Sequence, residues 1–467
     1  MKKIIFSKKS FALFSMLLMI SVSYAQTTSS AYFLEGFTKR YQLNPAFAPE
    51  RGTLISIPVL GNLQIDAQSS VGLSNFLYDS KSYPGKLTTF MSPDISRDEF
   101  LDNLPSAARF NLGLDMDILS LGFGSTRGYT IFNMKIRNNE TLSVPKELFD
   151  FMKASLSQGN YMIEDINLRS ITYMESSLSH SHRINDNLRI GAALKFIEGL
   201  AYADLNIDQI DAQLSEDSWK VRTNGRLRAS ISGAEYKYDS ENNSLDGIDF
   251  DEDNFDIPLN FGFAIDLGAE YDMKDFVEGL KLSAAITDIG FVKWNNTGVF
   301  ETDNSDYVEF KGFEGYDVYD SDKDGTFDSL EEDFKDMIRL YQTKSDGEES
   351  IGLNATFRAG AEYTLPMAKW LSVGELFTVR TGVWPYVESL TSVTMSPSGW
   401  FDFTGSMGFS SYGSSLGMLL NFHPAGFNFF FAVDRLSVRL NPQFVPVNNF
   451  GVNVSLGMNL VIGKKQS

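Results

Sequence analysis

The chain has 467 residues, no cysteine and a formal charge of −20. Lack of cysteine excludes disulfide scaffolds and cysteine zinc sites, and the acidity makes DNA and RNA poor partners. The length allows two or three ordinary domains, or one large closed sheet, because barrels grow by adding strands.

In chain order, the first element reads as an export signal. Lys2, Lys3, Lys8 and Lys9 give a basic start, Phe11 to Val22 is a short apolar run, and Ser23-Tyr24-Ala25 ends it with small residues at the positions a peptidase reads. That layout predicts a signal peptide over 1–25, cleaved after Ala25. The apolar run is shorter than the ~20 residues a spanning helix needs. Gln26 to Ala48 is rich in aromatics and poor in alternation.

From residue 49 to 467 the organising signal has a period of two, the signature of strands whose side chains point alternately to opposite faces. It runs, more or less regularly, through Leu63–Val71, Phe110–Ile118, Leu188–Phe196, Leu259–Tyr271, Leu280–Ile286, Ile351–Tyr363, Phe401–Phe409, Phe427–Val433 and Phe450–Ile462. These lengths are near the ~9–11 residues that cross a bilayer when tilted. In the last segment Phe450, Val452, Val454, Leu456, Met458, Leu460 and Ile462 share one face, opposite Gly451, Asn453, Ser455, Gly457 and Asn459.

A soluble β-sandwich also alternates. It would use shorter strands of ~5–6 residues. Here the apolar faces are rich in phenylalanine, with 38 Phe against 5 Trp, and the other faces mix Gly, Asn, Ser and Thr with charges, which suits a wet lumen. The fold expected is therefore all-β, a transmembrane antiparallel β-barrel of about 14 strands, within a range of about 12 to 16. A soluble exported β-protein is the alternative.

Two short helices are expected in insertions, Pro145–Ser155 with proline at its start and Leu330–Tyr341 with one apolar side. Acidic stretches mark outer loops at about 241–256 and 301–348. Glu241 to Asp256 holds seven acids and no Lys or Arg, and Glu301 to Asp336 holds fourteen acids against three Lys.

Inside the second stretch lies the strongest local motif. Asp320, Asp322 and Asp324 occupy positions one, three and five of a twelve-residue calcium loop, Gly325 the sharp turn, the carbonyl of Thr326 position seven, Asp328 position nine and Glu331 position twelve. That spacing can wrap six or more oxygens around one Ca²⁺. A helix is expected after the loop but not before it, so this would be a lone calcium loop fixing an outer insertion. A plain acidic solvated loop is the other reading. Gly413-Ser414-Ser415-Leu416-Gly417 fits a nucleophile elbow by letter, but its context is two strands and a turn, not strand into helix. His180, His182 and His423 are the only histidines and point to no zinc site. No catalytic constellation is found and no enzyme is expected.

The start of residues 26–467 carries a resemblance. It reads Tyr32-Phe33-Leu34-Glu35-Gly36-Phe37, then Gln42-Leu43-Asn44-Pro45-Ala46-Phe47-Ala48-Pro49, Ile57-Pro58 and Gly61-Asn62-Leu63; further on come Val144–Lys153, Thr287-Asp288-Ile289-Gly290-Phe291 with Trp294, and the last strand. These pieces resemble a group of outer-membrane barrels from Bacteroidota with no assigned activity, distantly similar to the fatty-acid transporter FadL and to PorV-type barrels of the type IX secretion system. The resemblance implies a barrel in outer-membrane lipid that passes or binds a small hydrophobic molecule, with residues 26–48 as a lumen plug. The PorV side of it implies instead docking to other envelope proteins.

Overall fold

The computed structural model describes residues 28–47, 49, 51–154, 159–215, 218–231, 233–240, 243–250, 260–310, 339–382, 385–411, 413–437 and 450–465. The expected export signal over 1–25, the calcium-type loop Asp320–Glu331, half of the first acidic stretch and most of the second lie outside the described residues.

Strands β1 (Arg51–Ser56) and β2 (Leu63–Ser69) share the first stave of the wall. A cap follows, with hairpin β3 (Leu77–Asp79) and β4 (Leu87–Thr89) and helix α1 (Arg97–Asp102). Then come β5 (Ala107–Gly124), β6 (Gly128–Pro145), helix α2 (Lys146–Ala154), β7 (Gly159–Arg183), β8 (Leu188–Leu214) and β9 (Trp219–Ile231). Hairpin β10 (Ala234–Tyr238) and β11 (Leu245–Phe250) leaves the wall, and β12 (Phe261–Asp272) rejoins it below β9; both pair with β8. Next are β13 (Leu280–Thr302), β14 (Val308–Phe310), and β15 (Leu340–Gly352) with β16 (Thr356–Thr364), which share one stave. β17 (Leu371–Arg380), β18 (Tyr386–Ser398), β19 (Phe401–Ser410), β20 (Gly413–Phe422), β21 (Gly426–Ser437) and β22 (Phe450–Lys465) complete the wall. β22 pairs back onto β1 and β2, closing an antiparallel barrel of 14 staves. Closure removes the sheet edges that an open sheet would expose.

The alternation faces the way the pattern requires. Leu194 is 64% exposed and Phe263 56%, while their neighbours Ala193 and Ala264 are buried. An exterior this apolar is stable against acyl chains and not against water, so the wall reads as an outer-membrane barrel. β16, β17, β19 and β20 have 9 or 10 residues, enough to cross. β7, β8 and β13 have 25, 27 and 23, so one side of the wall rises well beyond a bilayer. The short turns at residues 125–127 and 184–187 mark the opposite, periplasmic end by the usual asymmetry of such barrels.

The raised rim carries the cap. Ser96 caps α1 by accepting from Glu99 N at 3.2 Å, and Arg97 grips Asp150 of α2 with two bonds of 2.5 and 2.6 Å. Phe100, Ile95 and Val71 are buried beneath them, with Phe90 stacked on Phe100.

Three expectations are adjusted. Ile351–Tyr363 is two strands: β15 ends at Gly352 and β16 starts at Thr356, because residues 353–355 face a bulge in β13 and Leu353 N bonds Gly290 O out of register. Pro145 closes β6 rather than opening the helix, which starts at Lys146. Leu340 and Tyr341 begin a strand, pairing with Thr302 and Glu301. The polar inner face also differs from an open wet channel: in the lower half of the lumen it is buried against residues 28–47.

Candidate functional site

The lumen is the candidate site, and its lower half is built around the N-terminal segment. Residues 28–47 run inside the barrel through two short 3-10 turns, Ser29–Ala31 and Arg40–Gln42. The segment has no alternation because it is surrounded on all sides. Tyr32, Phe33, Phe37 and Phe47 form one buried cluster with Leu376, Leu390, Leu419 and Phe430 of the wall. Arg40 folds the segment onto itself, donating to Tyr32 O at 2.9 Å and lying 4.0 Å over the Phe47 ring.

The wall makes room with glycine. A Cβ on Gly191 would lie 2.0 Å from Pro45 O, one on Gly268 2.0 Å from Asn44 Oδ1, and one on Gly374 2.4 Å from Phe33 Cδ2. The Asn-Pro-Ala motif fits these sockets through a specific turn. Asn44 Oδ1 accepts from Ala46 N at 2.9 Å, which is possible because Pro45 brings no N–H to compete, while Asn44 Nδ2 donates to the carbonyls of Ala269 and Ala284 at 3.2 and 3.3 Å.

Polar bonds tie the segment to the wall. Lys39 Nζ lies 2.5 Å from Asp117 Oδ2 and 2.8 Å from Ser120 Oγ, fully buried. Thr38 Oγ1 donates to Asn428, Ser30 N to Asp434, and Lys281 pairs with Glu35. Removing one partner of a buried pair leaves an uncompensated charge. Lys39→Met is therefore expected to loosen the segment while the barrel stays folded, read as faster hydrogen exchange at residues 28–47 than elsewhere. Unchanged protection there would show that Lys39 is not a tether.

Above the segment, seven charged side chains cross the lumen on neighbouring strands. Arg137 reaches Asp115 (3.2 Å), Glu175 (3.3 Å) and Asp288 (3.1 Å); Lys195 reaches Asp288 (2.6 Å) and Asp266 (2.8 Å); Lys135 stands 3.7 Å from Glu175. Asp288 enters this network through a bulge. Two residues of β13, Thr287 and Asp288, oppose one of β12, Asp266, and Asp288 takes φ 62°. A bulge flips the strand's phase, so both side chains point inward, and aspartate tolerates the left-handed conformation better than most residues.

Higher still, Tyr202 stacks on Trp294 at 5.3 Å, beside Tyr173, Ile197 and Val292. This packed aromatic cluster, its rings fully buried, lies above the charges.

Of the sequence-predicted site residues, Asp320, Asp322, Asp324, Thr326, Asp328 and Glu331 lie outside the described residues. Among the described residues no cluster of three His, Asp or Glu is placed to hold a metal. Ser415 sits within β20, without the helix a nucleophile elbow needs. His180 and His182 stack on the exterior of β7, and His423 Nε2 lies 2.8 Å from Asp402 Oδ2 at the barrel floor. Sequence reasoning missed the charge network. Its signal was an inward face carrying Asp266 on β12 and Lys195 on β8 where glycine or serine would suffice.

No curated protein matches the sequence. Among solved structures, the toluene transporter TbuX of Ralstonia pickettii aligns with a TM-score of 0.44 at 9% identity, over 92% of this chain and 100% of its own. A FadL homologue from Pseudomonas aeruginosa aligns at 0.43 and 10% identity, over 94% and 98%. The translocator domain of the autotransporter NalP from Neisseria meningitidis aligns at 0.34 and 6%, over 94% and 98%. The sequence itself matches DUF5723, a family of unknown function, across residues 45–434, a span that takes in the sockets for Asn44 and Phe33, the charge network and the Asp288 bulge; the chain belongs to that family.

Proposed function

We propose that this chain is a gated outer-membrane channel for a small hydrophobic molecule, with residues 28–47 as the gate. The observation that carries the reading is the fit of that segment: apolar rings in glycine sockets and one buried ion pair close the periplasmic half of an otherwise cylindrical lumen. Uptake of a labelled fatty acid into proteoliposomes, compared with a variant lacking residues 26–37, tests it. Uptake no faster than into empty vesicles, in both proteins, would count against transport.

A second reading, docking to another envelope protein, is favoured by the raised wall and by Tyr83, Leu87 and Met91 exposed on its cap. A partner recovered in stoichiometric amount after crosslinking would support it.

We further propose that Asp320–Glu331 binds Ca²⁺ and stiffens the outer insertion by cancelling repulsion among its acids. Calorimetry is expected to show weak binding, of the order of 10⁻⁴ to 10⁻³ M, abolished by Glu331→Ala. Silent traces from both proteins would end the idea.

A further inference from the structure

Two histidines stand low on the outer face of the wall. Ser179 and Ser181 of β7 are buried in the lumen, so His180 and His182 between and after them point outward. On one rung His180 lies beside Thr130 of β6, which faces Phe123 of β5, and beside Ala192 of β8. On the rung below, His182 lies between Gly128 and Ile190. These are the last rungs before the turns at residues 125–127 and 184–187, at the periplasmic border of the wall. Exposed Leu178 and Leu194, opposite one another, lie in the apolar band above.

The imidazoles are held in one arrangement. His180 Nδ1 is 2.9 Å from Thr130 Oγ1. The His180 ring rests over Gly128, where a Cβ would come within 2.8 Å of its Cε1 and 3.1 Å of its Nε2. His182 stacks against it, with centroids 5.9 Å apart and planes at 28°. The bond made by one ring nitrogen sets the role of the other. With Thr130 donating to Nδ1, Nε2 carries the N–H, and it is turned toward the 125–127 turn. That turn supplies a cation. Gly128 N donates to Ser125 Oγ at 3.1 Å, and Arg183 N to Arg127 O at 2.7 Å, which fixes the backbone of Arg127 and leaves its side chain exposed. The neighbours on this face, Phe123, Thr130, Ile190 and Ala192, bring no acid, and Asp186 of the next turn lines the lumen mouth instead.

Polar ring nitrogens facing hydrocarbon are costly unless they find a partner. At the periplasmic border the acceptors at hand are lipid phosphates, and a guanidinium fork matches phosphate oxygens. We propose that Arg127, His180 and His182 bind the phosphate of a phospholipid in the periplasmic leaflet, with its acyl chains along Leu178, Ile190 and Leu194. The bound headgroup fixes the depth of the side of the wall that rises furthest, where β7 and β8 have 25 and 27 residues. The site lies outside the barrel and does not depend on the gate.

The test is native mass spectrometry of the purified full chain in mild detergent, titrated with phosphatidylglycerol carrying palmitoyl and oleoyl chains. One retained lipid is expected. His180→Phe/His182→Phe, which keeps two rings and removes their N–H groups, should weaken it by about tenfold, the scale of losing hydrogen bonds to a charged group. Arg97→Gln on the cap should leave it unchanged. Heat-modifiable migration on gels shows that each variant is folded; if the double variant is not, Arg127→Gln in the exposed turn takes its place with the same direction expected. Diacylglycerol with the same chains, lacking the phosphate, should not be retained. Equal retention by the variant, or of diacylglycerol, overturns the site. Displacement of the lipid by inorganic phosphate at constant ionic strength also overturns it, because the face would then be a site for the free anion and not for a lipid.

Discussion

Gly374→Leu is expected to convert a shut barrel into one that conducts ions steadily across a planar bilayer. Gly374 lies on the inner face of β17, and even a Cβ there would come within 2.4 Å of Phe33 Cδ2. The strand cannot retreat, because β17 is paired along its length with β16 and β18. The ring must leave instead, and with it Tyr32, whose ring packs on Phe33 at 5.0 Å. Fully burying a phenylalanine is worth about 1.5–3 kcal/mol, so expelling these two rings removes a large share of what seats the segment and leaves it to Phe37, Phe47 and a few polar bonds. Gly405→Leu is the matched control: that glycine faces outward on β19, where a Cβ meets only Phe403 at 3.7 Å, and the barrel should stay closed. Protease access to residues 28–47 is expected to rise together with conductance. A shut, protected Gly374→Leu barrel would mean that the segment is not seated by its rings.

The wall was legible because its code is local. All residues of Phe450–Ile462 but Val461 declare their face by their own chemistry, and β22 runs through the whole of that stretch. The bulges were not legible, because a bulge exists only between two strands. Thr287-Asp288-Ile289-Gly290 stood out as a motif, yet nothing in those letters says that Asp266 faces both Thr287 and Asp288. For the same reason Ile351–Tyr363, unbroken as a pattern, is broken as a strand where it meets that bulge. The aromatic content and missing alternation of Gln26–Ala48 set it apart from the wall, but its partners are hundreds of residues away in sequence: Thr28 bonds Ser455, and Thr38 bonds Asn428.

The charge network makes the second large prediction. Lys195→Met should lower the barrel's stability by roughly 3–5 kcal/mol, the usual cost of breaking a buried ion pair by removing one partner. Lys195 is the closest cation to both Asp266 and Asp288, and without it those carboxylates and Glu175 face one another with only Arg137 and Lys135 nearby. Unfolding in guanidinium from lipid vesicles, followed by tryptophan fluorescence, reads the loss as a lower midpoint. Adding Asp266→Asn should restore part of it, because the second change removes one of the charges that the first left uncompensated; coupling of this kind is expected between residues of one network. A double variant that is less stable than Lys195→Met by the full effect of Asp266→Asn alone would show the two residues to be independent, and the seven groups would then be separate pairs along the wall rather than one electrostatic unit. The distinction bears on gating. A unit holds the Asp288 bulge and its neighbouring strands in a single arrangement, the fixed wall that the proposed release of residues 28–47 requires.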